Sequence, residues 1–208
     1  MPSAQFRTFQ DHVRARNHEL SEAQWQDAER LFAPVALKRG SVLLDSAVIA
    51  DDLFFVCDGV AASVQTSCDG DTQIARFFER GQLCSNITSA WQRTVSEDEL
   101  IAMTDLSALR VPITAFRDAY LHGGPLSGFW REMVFETLLF DKDVLCTKTL
   151  RDVGTRYRFL AERYENVVSQ VADRHLARFL GITPQGLSRY LRHTREELTQ
   201  ANTGPARL

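Results

Sequence analysis

The sequence predicts an α+β chain. An N-terminal double-stranded β-roll of jelly-roll type carries flanking helices, one long helix follows, and the chain ends in a helix-turn-helix. Three observations predict it. Short β-rich runs punctuated by glycine occupy residues 35–113. A long and strongly apolar helical pattern runs from Pro125 to about Lys148. Two short amphipathic patterns then meet at Gly181. The expected domains are therefore 1–123 for the roll with its N-terminal helices, 124–150 for the long helix and 151–208 for the helix-turn-helix.

Residues 3–33 carry two helical patterns. Phe6, Phe9 and Val13 mark the first, and Trp25, Ala28, Leu31 and Phe32 the second. Ser21 and Gln24 have the S-x-x-Q spacing of a capping box. Strands are expected at Ser41–Leu44, Leu53–Cys57, Ala61–Thr66, Gln73–Phe78, Glu99–Met103 and Ala108–Val111. Gly40, Gly59, Gly70 and Gly81 lie between them, and Asp69-Gly70 is a hairpin signal. In the long helix, Phe129, Met133, Phe140 and Val144 repeat with 4-7-4 spacing, close to a heptad seam. These four are the expected dimerisation residues. Further apolar residues widen the stripe, so the helix is expected to be buried on more than one side, against the roll and against a second subunit. The alternative is a purely intramolecular core helix. Another helix is expected at about Thr155 to Tyr164.

Residues Asp173–Arg192, DRHLARFLGITPQGLSRYLR, have the internal logic of a helix-turn-helix. Leu176 and Leu180 share a helix face, and Ala177 permits close approach of a crossing helix. Gly181 supplies the positive φ of the turn, Thr183 is a good N-cap and Pro184 suits the first helical position. Leu187, Tyr190 and Leu191 face inward. Gln185, Ser188, Arg189 and Arg192 fall on the opposite face, where such side chains reach base edges or phosphates. With Thr183 and Gly186 they form the expected DNA-contacting set. Gly186 costs helix propensity, and close approach of the backbone to DNA or to the first helix is the expected compensation.

Composition narrows the function. The chain has 208 residues, 44% of them hydrophobic and 25% charged. No run approaches a membrane span, and the N-terminus lacks the apolar core of a signal peptide, so a cytoplasmic location and no membrane partner are expected. Cys57, Cys68, Cys84 and Cys146 are scattered without a CxxC, which argues against a metal site. The five histidines all lie outside residues 35–113, so metal-dependent catalysis in the roll is not expected, nor any enzyme. Charge is uneven. Residues 1–150 hold 14 Lys and Arg against 21 Asp and Glu, net −7; residues 151–208 hold 10 Arg against 6 acids, net +4. A basic C-terminal segment on an acidic body suits a localised DNA surface.

Two segments carry a family resemblance. GSVLLDSAVIADDLFFVCDGVAASVQTS has a Phe-x-Val-x-x-Gly run, and RYRFLAERYENVVSQVADRHLARFLGITPQGLSRYLR carries the helix-turn-helix. In this order they resemble the CRP/FNR family of transcription regulators, in a compact form without the long hairpin before the DNA-binding unit. The resemblance implies a cyclic-nucleotide-binding-like roll and a homodimer through the long helix. It also implies two recognition helices in successive major grooves of near-palindromic double-stranded DNA, and RNA polymerase as a partner if the regulator activates.

The sequence departs from that pattern in three places. Where cyclic-nucleotide-binding members carry Gly-Glu-Leu and then Arg-Ser, this chain has Ser85-Asn86-Ile87 and Ser96-Glu97. The phosphate partner is missing and a carboxylate stands beside it, so tight cyclic-nucleotide binding is not expected. By position alone, Cys84, Ser85, Asn86, Ser96 and Glu97 are the candidate effector contacts. No cofactor is expected; haem, through Cys84 and Pro2, or a redox-active Cys84 is only a remote alternative. Finally, the tail after Arg192 lacks the alternation of a β wing and reads as a helix end and frayed terminus. The leading expectation is a homodimeric DNA-binding regulator whose roll senses an unknown signal or serves as scaffold. The alternative is a ligand-binding regulatory module that acts through protein contacts, its helix-turn-helix degenerate.

Overall fold

The computed structural model describes residues 2–150, 152–164 and 166–203. Helices α1 (Ala4–Ala15) and α2 (Glu22–Glu29) open the chain. Ser3 caps α1 by accepting from the Phe6 amide, and the Ser21/Gln24 capping box at α2 is complete in both directions. Phe6, Phe9, Val13, Trp25 and Ala28 are buried, whereas Leu31 lies past the end of α2 and is half exposed.

Eight strands follow: β1 (Ala33–Leu37), β2 (Val42–Leu44), β3 (Asp52–Asp58), β4 (Ala61–Thr66), β5 (Thr72–Phe78), β6 (Leu83–Cys84), β7 (Asp98–Ala102) and β8 (Leu106–Pro112). They form two antiparallel four-stranded sheets, ordered β1-β8-β3-β6 and β2-β7-β4-β5. Two of these strands, β1 and β6, lie outside the runs expected from sequence. β1 carries Pro34, which an edge strand tolerates, and β6 is two residues long. Gly59 takes φ +85°, and a Cβ there would strike the Asp105 carbonyl. The turn between β3 and β4 therefore requires glycine. A short helix α3 (Ile87–Gln92) and a longer α4 (Ile113–His122) complete the roll.

Helix α5 (Ser127–Leu150) leads to α6 (Val153–Arg163), α7 (Val167–Gln170), α8 (Asp173–Leu180) and α9 (Pro184–Thr203). Among the described residues no helix is long and apolar enough to cross a membrane. Three apolar clusters hold the elements together. One fills the space between the sheets with Phe54, Val56, Phe78, Cys84, Leu100 and Leu106. A second joins α1, α2 and α4 to the β3–β8 sheet and the first half of α5. At its centre Phe9 is fully buried, with Phe32, Phe55, Phe129, Trp130, Phe6 and Trp25 ring centroids 4.7 to 6.4 Å away.

The third cluster joins the other sheet to the C-terminal helices. Ile74 and Phe77 of β5 pack with Leu160, Tyr164, Leu176, Phe179 and Leu187. The Phe77 ring lies 5.4 Å from Phe179 and 5.8 Å from Tyr164. The helix-turn-helix is therefore docked on the roll through a continuous core that crosses the 150/151 boundary. Polar contacts reinforce it: Glu79 accepts from the Asn166 amide at 2.9 Å.

Phe129, Met133, Phe140 and Val144 require a correction. Phe129 and Met133 are buried in the second cluster and Val144 in the third, with Phe140 packed against the third and 5.2 Å from the Tyr164 ring. Their stripe is the inward face of α5, committed to the chain's own cores. The outward apolar residues are Phe135 (62% exposed), Leu138 (66%), Leu139 (47%) and Leu145 (63%).

Lys148, near the end of α5, is mostly buried. Its Nζ donates to the Ile74 and Ala75 carbonyls at 2.6 and 3.3 Å and sits 4.5 Å over the Phe179 ring. Burial, helped by Arg156, pulls its pKa down to about 8. The unfolded chain then binds more protons than the folded one between about pH 8 and the ordinary lysine value, so this residue's contribution to stability grows as pH rises through that window. Denaturant titrations at pH 7.5 and 10 are expected to show a more favourable pH dependence for the native chain than for Lys148→Met, by up to about 3 kcal/mol.

Candidate nucleic-acid interface

The interface is built on α8, the turn and α9. Leu176, Ala177, Phe179 and Leu180 bury one face of α8. Gly181 ends it at φ +67°, and the Ile182 amide reaches back to the Ala177 carbonyl at 3.0 Å. Thr183 Oγ1 then accepts from the Gly186 amide at 3.1 Å and caps α9. Leu187 is fully buried, and Tyr190 and Leu191 pack half-buried on the third cluster. These contacts fix the rotation of α9 and turn its opposite face outward.

On that face Gln185, Ser188, Arg189 and Arg192 are exposed and, with Pro184, line an open groove of about 490 Å³. Seven residues separate Gln185 from Arg192, about 10 Å along the axis. Thr183 is exposed and serves as cap. Gly186 lies next to Thr183 and Ile182: an added Cβ would come 3.2 Å from Thr183 Oγ1 and 3.9 Å from Ile182 Cβ, with nothing of α8 within 4 Å. Close approach to the first helix is therefore not what Gly186 provides.

The surroundings are basic. Arg174 and Arg178 are exposed on α8. Burial, then the charges of Arg174, Arg178 and Arg39, hold His175 below the ordinary imidazole value. α9 runs on as helix to Thr203, beyond the early helix end read from sequence, and no strand follows Arg192 among the described residues. The final residues of the expected frayed tail, 204–208, lie outside them.

The five candidate effector residues do not converge on a cavity. Cys84 is fully buried between the sheets, and burial pushes its thiol up to about 12, which leaves little thiolate for redox chemistry. Ser85 Oγ donates to the Asp52 carbonyl at 3.0 Å. Asn86 caps α3, accepting from the Ser89 amide, and donates to Ser96 Oγ at 2.9 Å. Ser96 donates to the Asp98 carbonyl at 2.7 Å. Glu97 is exposed. These hydrogen bonds brace α3 and its following turn. Phe54, Phe78, Leu100 and Leu106 pack together in the inter-sheet space, and Ser96, where the resemblance places a phosphate partner, is already hydrogen-bonded. The same packing around Cys84 offers no face for haem.

Residues 34–122 match the family described as cyclic nucleotide-binding domain. The matched stretch is the roll, from β1 through α4. No curated protein matches the sequence. Among solved structures, FixK2 from Bradyrhizobium japonicum superimposes with TM-score 0.65 at 17% identity, covering 85% of this chain and 89% of that one. The c-di-GMP-responsive global regulator CLP from Xanthomonas campestris gives 0.63 at 14% identity, covering 90% and 96%. A protein assigned to the crp/fnr family of transcriptional regulators from Eubacterium rectale gives 0.66 at 16% identity, covering 90% and 88%. The chain thus has the fold of these regulators over most of its length.

Sequence reading missed the outward face of α5. Phe135, Leu138 and Leu145 are spaced by three and seven, as good a heptad signal as the stripe that was preferred. With two apolar stripes on one helix, spacing alone could not say which faced the roll. Removing the cap with Thr183→Ala is expected to destabilise the fold by about 0.5–2 kcal/mol, read from chemical denaturation, with the far-UV spectrum of the native state unchanged.

Proposed function

We propose that the chain is a homodimeric, non-enzymatic bacterial transcription regulator that works in the cytoplasm. It binds double-stranded DNA by inserting the start of α9 into the major groove. The observation that carries this is the split of α9 into two faces. One, through Leu187, Tyr190 and Leu191, is locked into the core. The other presents Gln185, Ser188, Arg189 and Arg192 to solvent with exposed arginines around it. Arginine pairs with guanine and glutamine with adenine in the major groove, and the remaining arginines suit phosphates.

The outward face of α5 supplies the dimer. From Gly128 through Phe135, Leu138, Lys142 and Leu145 to Thr149, exposed positions alternate at three and four residues. A two-fold pairing of this seam sets two copies of α9 on one side of the assembly, as a palindromic site requires. The signal is not a cyclic nucleotide held inside the roll, because Phe54, Phe78, Leu100 and Leu106 pack in that space and Ser96-Glu97 stand where the resemblance places the phosphate-holding Arg-Ser.

Selection from random double-stranded DNA at low salt is expected to enrich a near-palindrome with half-sites about one helical turn apart. Arg189→Ala is expected to weaken binding to the selected sequence by about 1–3 kcal/mol and to relax preference at one base pair of each half-site. Failure to enrich any sequence, with Arg189→Ala indistinguishable from the native chain, would instead favour a module that acts through protein contacts.

A further inference from the structure

We propose that the cavity between α1, the β5–β6 turn and α5 binds a small organic anion, one carboxylate or phosphate head on a short apolar body. The cavity measures about 220 Å³. Arg16, Arg76 and Arg80 line it; Arg16 is paired with Glu132 and Glu136 and Arg76 with Asp141, which leaves Arg80 as the exposed cation at its rim. Met133 and Phe140 form an apolar wall. This volume is below the usual range for drug-sized ligands, which selects a small one.

Arg76 is the anchor. Its side chain is only 10% exposed, and its guanidinium carbon lies 4.8 Å from the Phe78 centroid and 4.9 Å from that of Phe140. One terminal nitrogen pairs with Asp141, yet its Nε is buried and makes no hydrogen bond. Arg16 Nε is likewise buried without a hydrogen bond, 3.7 Å from Glu132, and so is His12 Nε2. Arg16 Nε keeps an ion pair with Glu132, but Arg76 Nε and His12 Nε2, on two residues that line one cavity, are buried without a hydrogen bond and call for a partner, since folded proteins satisfy nearly all such groups. A forked guanidinium aimed at an anion is the strongest form of that contact.

The wall is shaped for close approach. Gly81 takes φ +85°, and an added Cβ would fall 2.5 Å from His12 Cε1, so the imidazole packs on bare backbone. Burial and the nearby Arg16 and Arg80 charges pull the His12 pKa down to about 4, with Glu132 opposing. His12 is therefore neutral near pH 7 and leaves the positive charge of the site to the arginines.

The site touches the helix proposed to carry the dimer. Glu136 and Phe140 line it, while Phe135 and Leu139, each one residue earlier, face outward. Its meaning as a signal input rests on the regulator reading; its existence does not, so binding is measured without DNA. Benzoate and phenyl phosphate are the probes and benzyl alcohol the neutral control, titrated calorimetrically into the full chain. At least one anion is expected to saturate at one equivalent per chain with a Kd of about 1 mM or tighter, and the better probe identifies the head group. Arg80→Ala, an exposed position, is expected to weaken binding by about tenfold or more, and Arg76→Met to abolish it. The proposal is overturned if neither anion saturates, if benzyl alcohol binds equally well, or if Arg80→Ala binds as the native chain does. Should Arg76→Met fail to fold, Arg80→Ala alone decides.

Discussion

Helix α5 is apolar around most of its circumference, and the rest of the architecture depends on where that surface goes. Phe129, Trp130 and Met133 close the aromatic core beneath α1 and α2. Ten residues on, Phe140 and Val144 close the core beneath the helix-turn-helix. One helix thus seals both ends of the roll, and each end is fixed relative to the other by its 1.5 Å rise per residue. What remains, Phe135, Leu138, Leu139 and Leu145, faces outward and is 47–66% exposed. Burying side chains of this size stabilises by about 1.5–3 kcal/mol each. The proposed two-fold pairing of the face would have to offset the several kcal/mol that association costs.

The helix-turn-helix is joined to this helix without slack. Phe77 from the roll, Phe140 from α5, Tyr164 after α6 and Phe179 from α8 meet in one aromatic group. Lys148 ties β5 to α8 from the end of α5. A shift of α5 against the roll would have to repack this group and so reposition α9. Phe140 also forms the wall behind Arg76, which places the proposed anion site on the same group. A ligand there acts only to the extent that it binds one arrangement better than the other.

Much of the fold was legible in local pattern. The capping box at Ser21 and the positive-φ turn at Gly181 are short-range signals that do not depend on distant packing. The two faces of α9 followed from 3.6-residue spacing because only one of them is apolar. α5 could not be read that way, since both its faces are. The effector residues failed for another reason. Position in a family pattern says where a loop passes, but Asn86 and Ser96 spend their hydrogen bonds on bracing α3. Arg76 was passed over as one charge in a strand. Its place between Ala75 and Phe77-Phe78, at the end of an inward run, was the available hint of a buried cation.

The claim that orders the whole account is that the outward face of α5 pairs two chains. Sedimentation equilibrium of the full chain and of Leu138→Asp tests it most directly. The native chain is expected to be a dimer at micromolar concentration, and Leu138→Asp a folded monomer with unchanged far-UV spectrum. A monomeric native chain at those concentrations, or a Leu138→Asp variant that still dimerises, would contradict it.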